Sequence, residues 1–155
     1  MRSIRALLIA ATLAALAVPS LATAAPDTCH LDLDVVLDPD VALLPKQAAI
    51  HGSGTVACTG GVLAGTNVLT IEATTGPTGH WCPSDLAGTG TLIVGEHESP
   101  IATGTFTFGR AGVTGAFDAA TTAGTLSGYF LFEPEGDCVV TPVTHAHVSG
   151  DALQR

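Results

Sequence analysis

The sequence predicts an all-β domain of about eight antiparallel strands, folded as a small barrel or a sandwich. Three observations carry that prediction. A phrase of glycine, threonine and an apolar residue recurs as Gly54 Thr55 Val56, Gly90 Thr91 Leu92, Gly104 Thr105 Phe106 and Gly124 Thr125 Leu126. Apolar and polar residues alternate in short runs bounded by Gly, Pro and Asp. No segment after the first 24 residues keeps helical periodicity for three turns. Threonine's branched Cβ favours extended backbone, and a glycine inside a strand marks a bend, a bulge or a close backbone approach, so the sheet should be curved. The phrase recurs at intervals of 36, 14 and 20 residues, which excludes a solenoid of fixed period.

The N-terminal segment stands apart. Met1 to Arg5 carries two arginines, Ala6 to Val18 is apolar or small apart from Thr12, and Ala22 Thr23 Ala24 offers small residues at both cleavage subsites. Residues 1–24 therefore read as a secretory signal peptide whose apolar core is too short for a membrane span. Cleavage after Ala24 leaves residues 25–155 as a single barrel or sandwich domain, expected to be secreted and extracellular. In that part 14 carboxylates face three strong bases, Lys46, Arg110 and Arg155, for a formal balance of −11. So acidic a surface repels phosphate backbones and anionic lipid heads, which argues against nucleic-acid and membrane partners.

The first strand is read over Cys29 to Leu37, where Leu31, Leu33, Val35 and Leu37 share one face and His30, Asp32 and Asp34 the other. Asp38 Pro39 Asp40 should break it. The second runs from about Lys46 to Cys58 and stops at Thr59 Gly60 Gly61, and the third from Asn67 to Thr74. Gly76 to Ser84 is the least regular stretch and holds the only tryptophan, in His80 Trp81 Cys82 Pro83. Four further strands follow over about Leu86 to His97, Ile101 to Phe108, Gly112 to Asp118 and Gly124 to Phe132. A Pro/Gly turn at Glu133 to Asp137 leads to the eighth, from Cys138 to about Val148.

Four cysteines in a short exported chain read as two disulfides with three possible connectivities. If the first two strands form an antiparallel hairpin, opposing residue numbers sum to about 83 to 87. Cys29 and Cys58 sum to 87. The fourth and eighth strands start at the same end of an up-and-down sheet, and Cys82 and Cys138 precede or open them. The layout thus favours Cys29 with Cys58 and Cys82 with Cys138, the second bridge pinning the Trp81 loop.

Catalytic signatures are sparse. No serine lies in a G-x-S-x-G elbow, two disulfides would use every cysteine, and no phosphate-cradling glycine loop is followed by lysine. His145 and His147 share one strand face, a spacing that can chelate a divalent metal, and closure of the sheet would bring His30 or Asp32 near them. Glu96 His97 Glu98 reads as a solvated turn, and Asp32, Asp34, Asp38 and Asp40 do not follow a calcium-loop pattern.

The leader ending in Ala-Thr-Ala-Ala-Pro, the Gly-Thr-apolar strands and the run Gly136 Asp137 Cys138 Val139 Val140 Thr141 Pro142 Val143 Thr144 resemble small exported β-domains of uncharacterised function from high-GC actinobacteria. That resemblance implies no activity and no site residues. An acidic Gly/Thr/Val-rich exported domain with two disulfides is also similar, more loosely, to the apoproteins of enediyne chromoproteins, which implies a sandwich holding a small hydrophobic ligand.

The leading expectation is a non-enzymatic exported domain, with no cofactor, that binds a small molecule or a protein partner. Phe106, Phe108, Phe130 and Phe132 would fill or line its interior. Two alternatives accompany it: an inhibitor or adhesion module presenting His80, Trp81 and Pro83 on a preorganised loop, and a metal-binding or metal-dependent protein using His145 and His147.

Overall fold

The computed structural model describes residues 26–41, 47–76, 86–136 and 140–155. Eight strands follow in chain order: β1 (Asp27–Val41), β2 (Ala49–Cys58), β3 (Gly65–Thr75), β4 (Leu86–Glu96), β5 (Ser99–Ala111), β6 (Thr114–Thr121), β7 (Gly124–Glu135) and β8 (Val143–Gln154). Each pairs antiparallel with its neighbour in sequence, and β1 pairs with β8, so the sheet closes into an up-and-down barrel. The choice between barrel and sandwich is settled as a barrel. Closure satisfies the edge groups that an open sheet would present to other chains.

The expected strands are all present, with three boundary corrections. Asp38 and Pro39 do not end the first strand; β1 continues to Val41, with a register shift between Val36 and Val41 in its pairing with β8. β7 continues through Glu133 and Pro134 to Glu135, residues expected in a turn, which pair with His147, Ala146 and His145 of β8. The eighth strand begins at Val143 rather than Cys138 and runs on to Gln154. Its continuation through Ser149, Gly150 and Asp151 lies beyond the end expected near Val148 and is paired on both sides, with β1 and with β7.

Alternation divides the chain into an inner and an outer face. Leu31, Leu33, Val35 and Leu37 of β1 are buried, as are Ile50 and Val56 of β2, while the residues between them face water. The recurrent Gly-Thr phrase resolves the same way, with the threonine exposed and the glycine turned inward. Gly90 lies opposite Phe106, and a Cβ on it would come within 2.7 Å of that ring. Gly115 lies opposite Phe130, and a Cβ there would come within 2.1 Å of it. These glycines are the hollows into which the aromatic rings of the adjacent strand fit. Gly54 and Gly128 serve curvature instead: a Cβ on either would strike a carbonyl oxygen of the neighbouring strand, at 2.0 and 2.1 Å.

One end of the barrel is sealed. Cys29 and Cys58 stand directly opposite each other and form a disulfide, closing 29 residues of sequence separation as the strand register required. Leu63 and Ala152 are buried beside them. The Thr59 amide donates to the Thr28 carbonyl at 2.9 Å, and Gln154 Nε2 to the Ala123 carbonyl at 3.2 Å. The connections from β1 to β2, β3 to β4 and β7 to β8 leave from the opposite end. Cys82, Cys138 and the His80 Trp81 Pro83 loop fall in the latter two connections and lie outside the described residues.

Candidate functional site

The interior holds a chamber of about 100 Å³. One wall is aliphatic: Leu31, Leu33 and Val35 of β1, Ile50 and Val56 of β2, Leu69 and Ile71 of β3. The opposite wall is aromatic, built from Phe106 and Phe108 of β5, Phe117 of β6, and Phe130 and Phe132 of β7. The four phenylalanines expected to fill or line the interior therefore all face the chamber, and Phe117 joins them. The Phe106 and Phe108 ring centroids are 6.0 Å apart with planes inclined at 35°, a tilted aromatic contact. Phe132 is buried, whereas Phe106, Phe108, Phe117 and Phe130 are partly buried against the core.

Arg110 also lines this chamber. It is 9% exposed, at the loop-bearing end of β5. Its guanidinium carbon lies 5.3 Å from the centre of the Phe132 ring, a cation–π distance, and Nη1 donates to the Gly112 carbonyl. Arg110 was not singled out from sequence, yet the signal was there. The alternation Phe106, Phe108, Arg110 puts a charge in step with two inward aromatics.

Among the described residues the histidines lie on the outer surface. His145 and His147 flank the buried Ala146, so the shared face predicted for them is correct. His147 Nδ1 is 3.1 Å from Asp34 Oδ1, and its Nε2 is 3.9 Å from Asp32 Oδ2. Closure of the sheet therefore brings Asp32 to the pair, as anticipated, along with Asp34. It does not bring His30. In the β1–β8 register His30 stands opposite Asp151 and Asp34 opposite His147, a separation of four residues, or about 13 Å of strand. His30 Nδ1 instead contacts Asp151 Oδ1 at 2.9 Å, and His145 Nδ1 contacts Thr144 Oγ1 at 2.9 Å. Among the described residues no three or more His, Cys, Asp or Glu side chains are grouped as metal ligands.

What the histidines do make is a set of cross-strand acid–base pairs: His30 with Asp151, His51 with Glu72, and His147 with Asp34. The Asp34 hydrogen bond, reinforced by the charges of Asp32, Asp34 and Glu133 and opposed by partial burial, holds the His147 pKa above the ordinary histidine value.

The fold and chamber define the class: a closed eight-stranded antiparallel barrel with an apolar interior, which Arg110 borders. Comparison with known proteins gives no match to a family model, to a curated protein or to a solved structure.

Proposed function

We propose that this chain is a non-enzymatic binding protein, acting outside the cell after loss of residues 1–24, whose barrel interior takes up one small apolar molecule. The observation that supports this most directly is the chamber of about 100 Å³ between an aliphatic and an aromatic wall. Interiors of well-packed domains leave few voids larger than a water, so open space of this size inside so small a core is unusual. The barrel geometry fits the reading, because eight strands enclose a space wide enough for side chains or for one small ligand. An apolar cavity of this kind stays dry and gains free energy by accepting an apolar guest.

Toluene and xenon are suitable probes. Either should raise the thermal midpoint and shift the resonances of Phe106, Phe108 and Phe130, and Ala73→Leu, which fills the chamber from β3, should abolish both effects. Absence of any shift in those rings at saturating probe would reject interior binding.

A further inference from the structure

We propose that the sealed end of the barrel holds a calcium ion between Gln154 and Asp27. Gln154 is 7% exposed, and its Oε1 is buried with no hydrogen-bond partner among the described residues. The other half of the amide fixes its orientation. Nε2 donates to the Ala123 carbonyl at 3.2 Å, and reversing the group would set Oε1 against that carbonyl. A buried acceptor without a donor is costly, so such an atom in a folded core is the mark of a bound water or ion.

Oε1 faces a carboxylate. Asp27 and Gln154 are direct partners in the β1–β8 register. A Cβ on Gly61 would lie 3.1 Å from Asp27 Oδ2 and 3.1 Å from Gln154 Oε1, so the two oxygens are within twice that distance of each other. The turn after β2 makes the room. A Cβ on Gly60 would come within 2.2 Å of Asp27 Oδ1, and Gly61 has a φ of 72°, so glycines at both positions let the carboxylate lie against the chain. An ion holding oxygens at about 2.3–2.6 Å bridges a pair up to roughly 5 Å apart, and a small turn of the partly exposed Asp27 side chain covers any remainder.

Two acceptors turned toward one another need a donor or a cation between them. Because one of the two is ionised, a cation gains charge attraction that a water does not. A carboxylate and an amide oxygen are hard ligands, which suit calcium rather than zinc or copper. The site uses one carboxylate and one amide, so it falls outside the His, Cys, Asp and Glu groupings considered above. The formal balance of −11 beyond residue 24 also draws divalent cations to this surface. With two oxygens from the protein, water completes a shell of roughly six to eight, and the affinity falls with the weak sites of extracellular modules, a Kd of about 10⁻⁴–10⁻³ M. The ion would fasten the first strand to the last, beside the Cys29–Cys58 bridge.

Calcium chloride titrated into the wild-type protein should raise the thermal midpoint and shift the Gly61 amide and the Gln154 side-chain amide saturably, with a Kd in that range. Asp27→Asn should weaken binding by about tenfold, and Gln154→Glu, which adds a charged ligand, should tighten it several-fold. Absence of a saturable shift at Gly61 and Gln154 well above that range overturns the proposal and leaves a water between the two side chains. An equal response to magnesium, or to sodium at matched ionic strength, overturns it as well, since that is screening of an acidic barrel and not coordination. If Gln154→Glu folds only when calcium is added, the proposal is supported. If it folds under neither condition, Asp27→Asn decides: a loss of calcium affinity supports the site, and an unchanged affinity overturns it.

Discussion

Gly109 and Gly115 show how a single hydrogen can have opposite meanings a few residues apart. A Cβ on Gly109 would meet nothing within 4 Å, whereas one on Gly115 would run into the Phe130 ring at 2.1 Å. Gly109→Ala should therefore be neutral or stabilising by about 0.4–1 kcal/mol, through reduced freedom of the unfolded chain. Gly115→Ala should destabilise by about 1–3 kcal/mol from overpacking. Phe130→Leu should relieve much of the Gly115→Ala cost, and a double-mutant cycle followed by urea denaturation measures that coupling. His147 allows a prediction with a definite sign. Because its folded-state pKa is raised, its contribution to stability is fully present below the unfolded histidine value and is lost as pH rises through the folded value. The wild-type urea midpoint should thus fall between pH 6 and pH 8 by more than that of His147→Gln. The difference is small, well under about 1 kcal/mol, because the pair is solvent-exposed and screened. An NMR titration of Asp34→Asn should show the His147 pKa moving back toward the ordinary value.

At the level of strands, the sequence was informative wherever one face of an element is wet. β1 alternates without interruption over Cys29 to Leu37, and its pairing with β2 keeps partner numbers summing to 87, so the Cys29–Cys58 bridge followed from strand direction alone. β8 was harder to place. Ser149, Gly150 and Asp151 have the composition of a turn, and only their two-sided pairing makes them strand. That information is non-local, and no window on β8 contains it. The aromatic wall was legible through Phe106, Phe108, Phe130 and Phe132. Phe117 was missed because it sits in a short strand of small residues, Thr114–Thr121, where one aromatic makes a faint pattern. Conversely, the idea that His30 joins His145 and His147 depended on register between the first and last strands, which is set by closure and not by either strand. The Cys29–Cys58 bridge also has a measurable weight. Closing a span of 29 residues should stabilise by about 3–4 kcal/mol in the chain-entropy picture. Cys29→Ala with Cys58→Ala should lower the unfolding free energy by that order while leaving the far-ultraviolet spectrum of a β protein, since the remaining core is spread over all eight strands.

For the molecule as a whole, closure is what separates the barrel from the sandwich that the sequence kept as its alternative. In an open sheet β1 and β8 would be edges, each with one row of amides facing solvent, and edge strands open locally at low cost. Here β1 is paired with β2 along one side and with β8 along the other, from Asp27↔Gln154 to Val41↔Val143. The β1–β8 seam also carries the His147–Asp34 and His30–Asp151 pairs on its outer face. The first and last strands should therefore belong to the same cooperative unit as the central hairpin of β4 and β5. Native-state hydrogen exchange gives the test. Amides of Leu33, Val35 and Val148 should exchange through global unfolding, with the same denaturant dependence as those of Leu92 and Phe106. If the β1 and β8 amides instead exchange through a local opening that is insensitive to denaturant, the seam is a frayed edge. The chamber would then be a cleft open along one side, and an apolar guest could leave between the strands without passing Arg110.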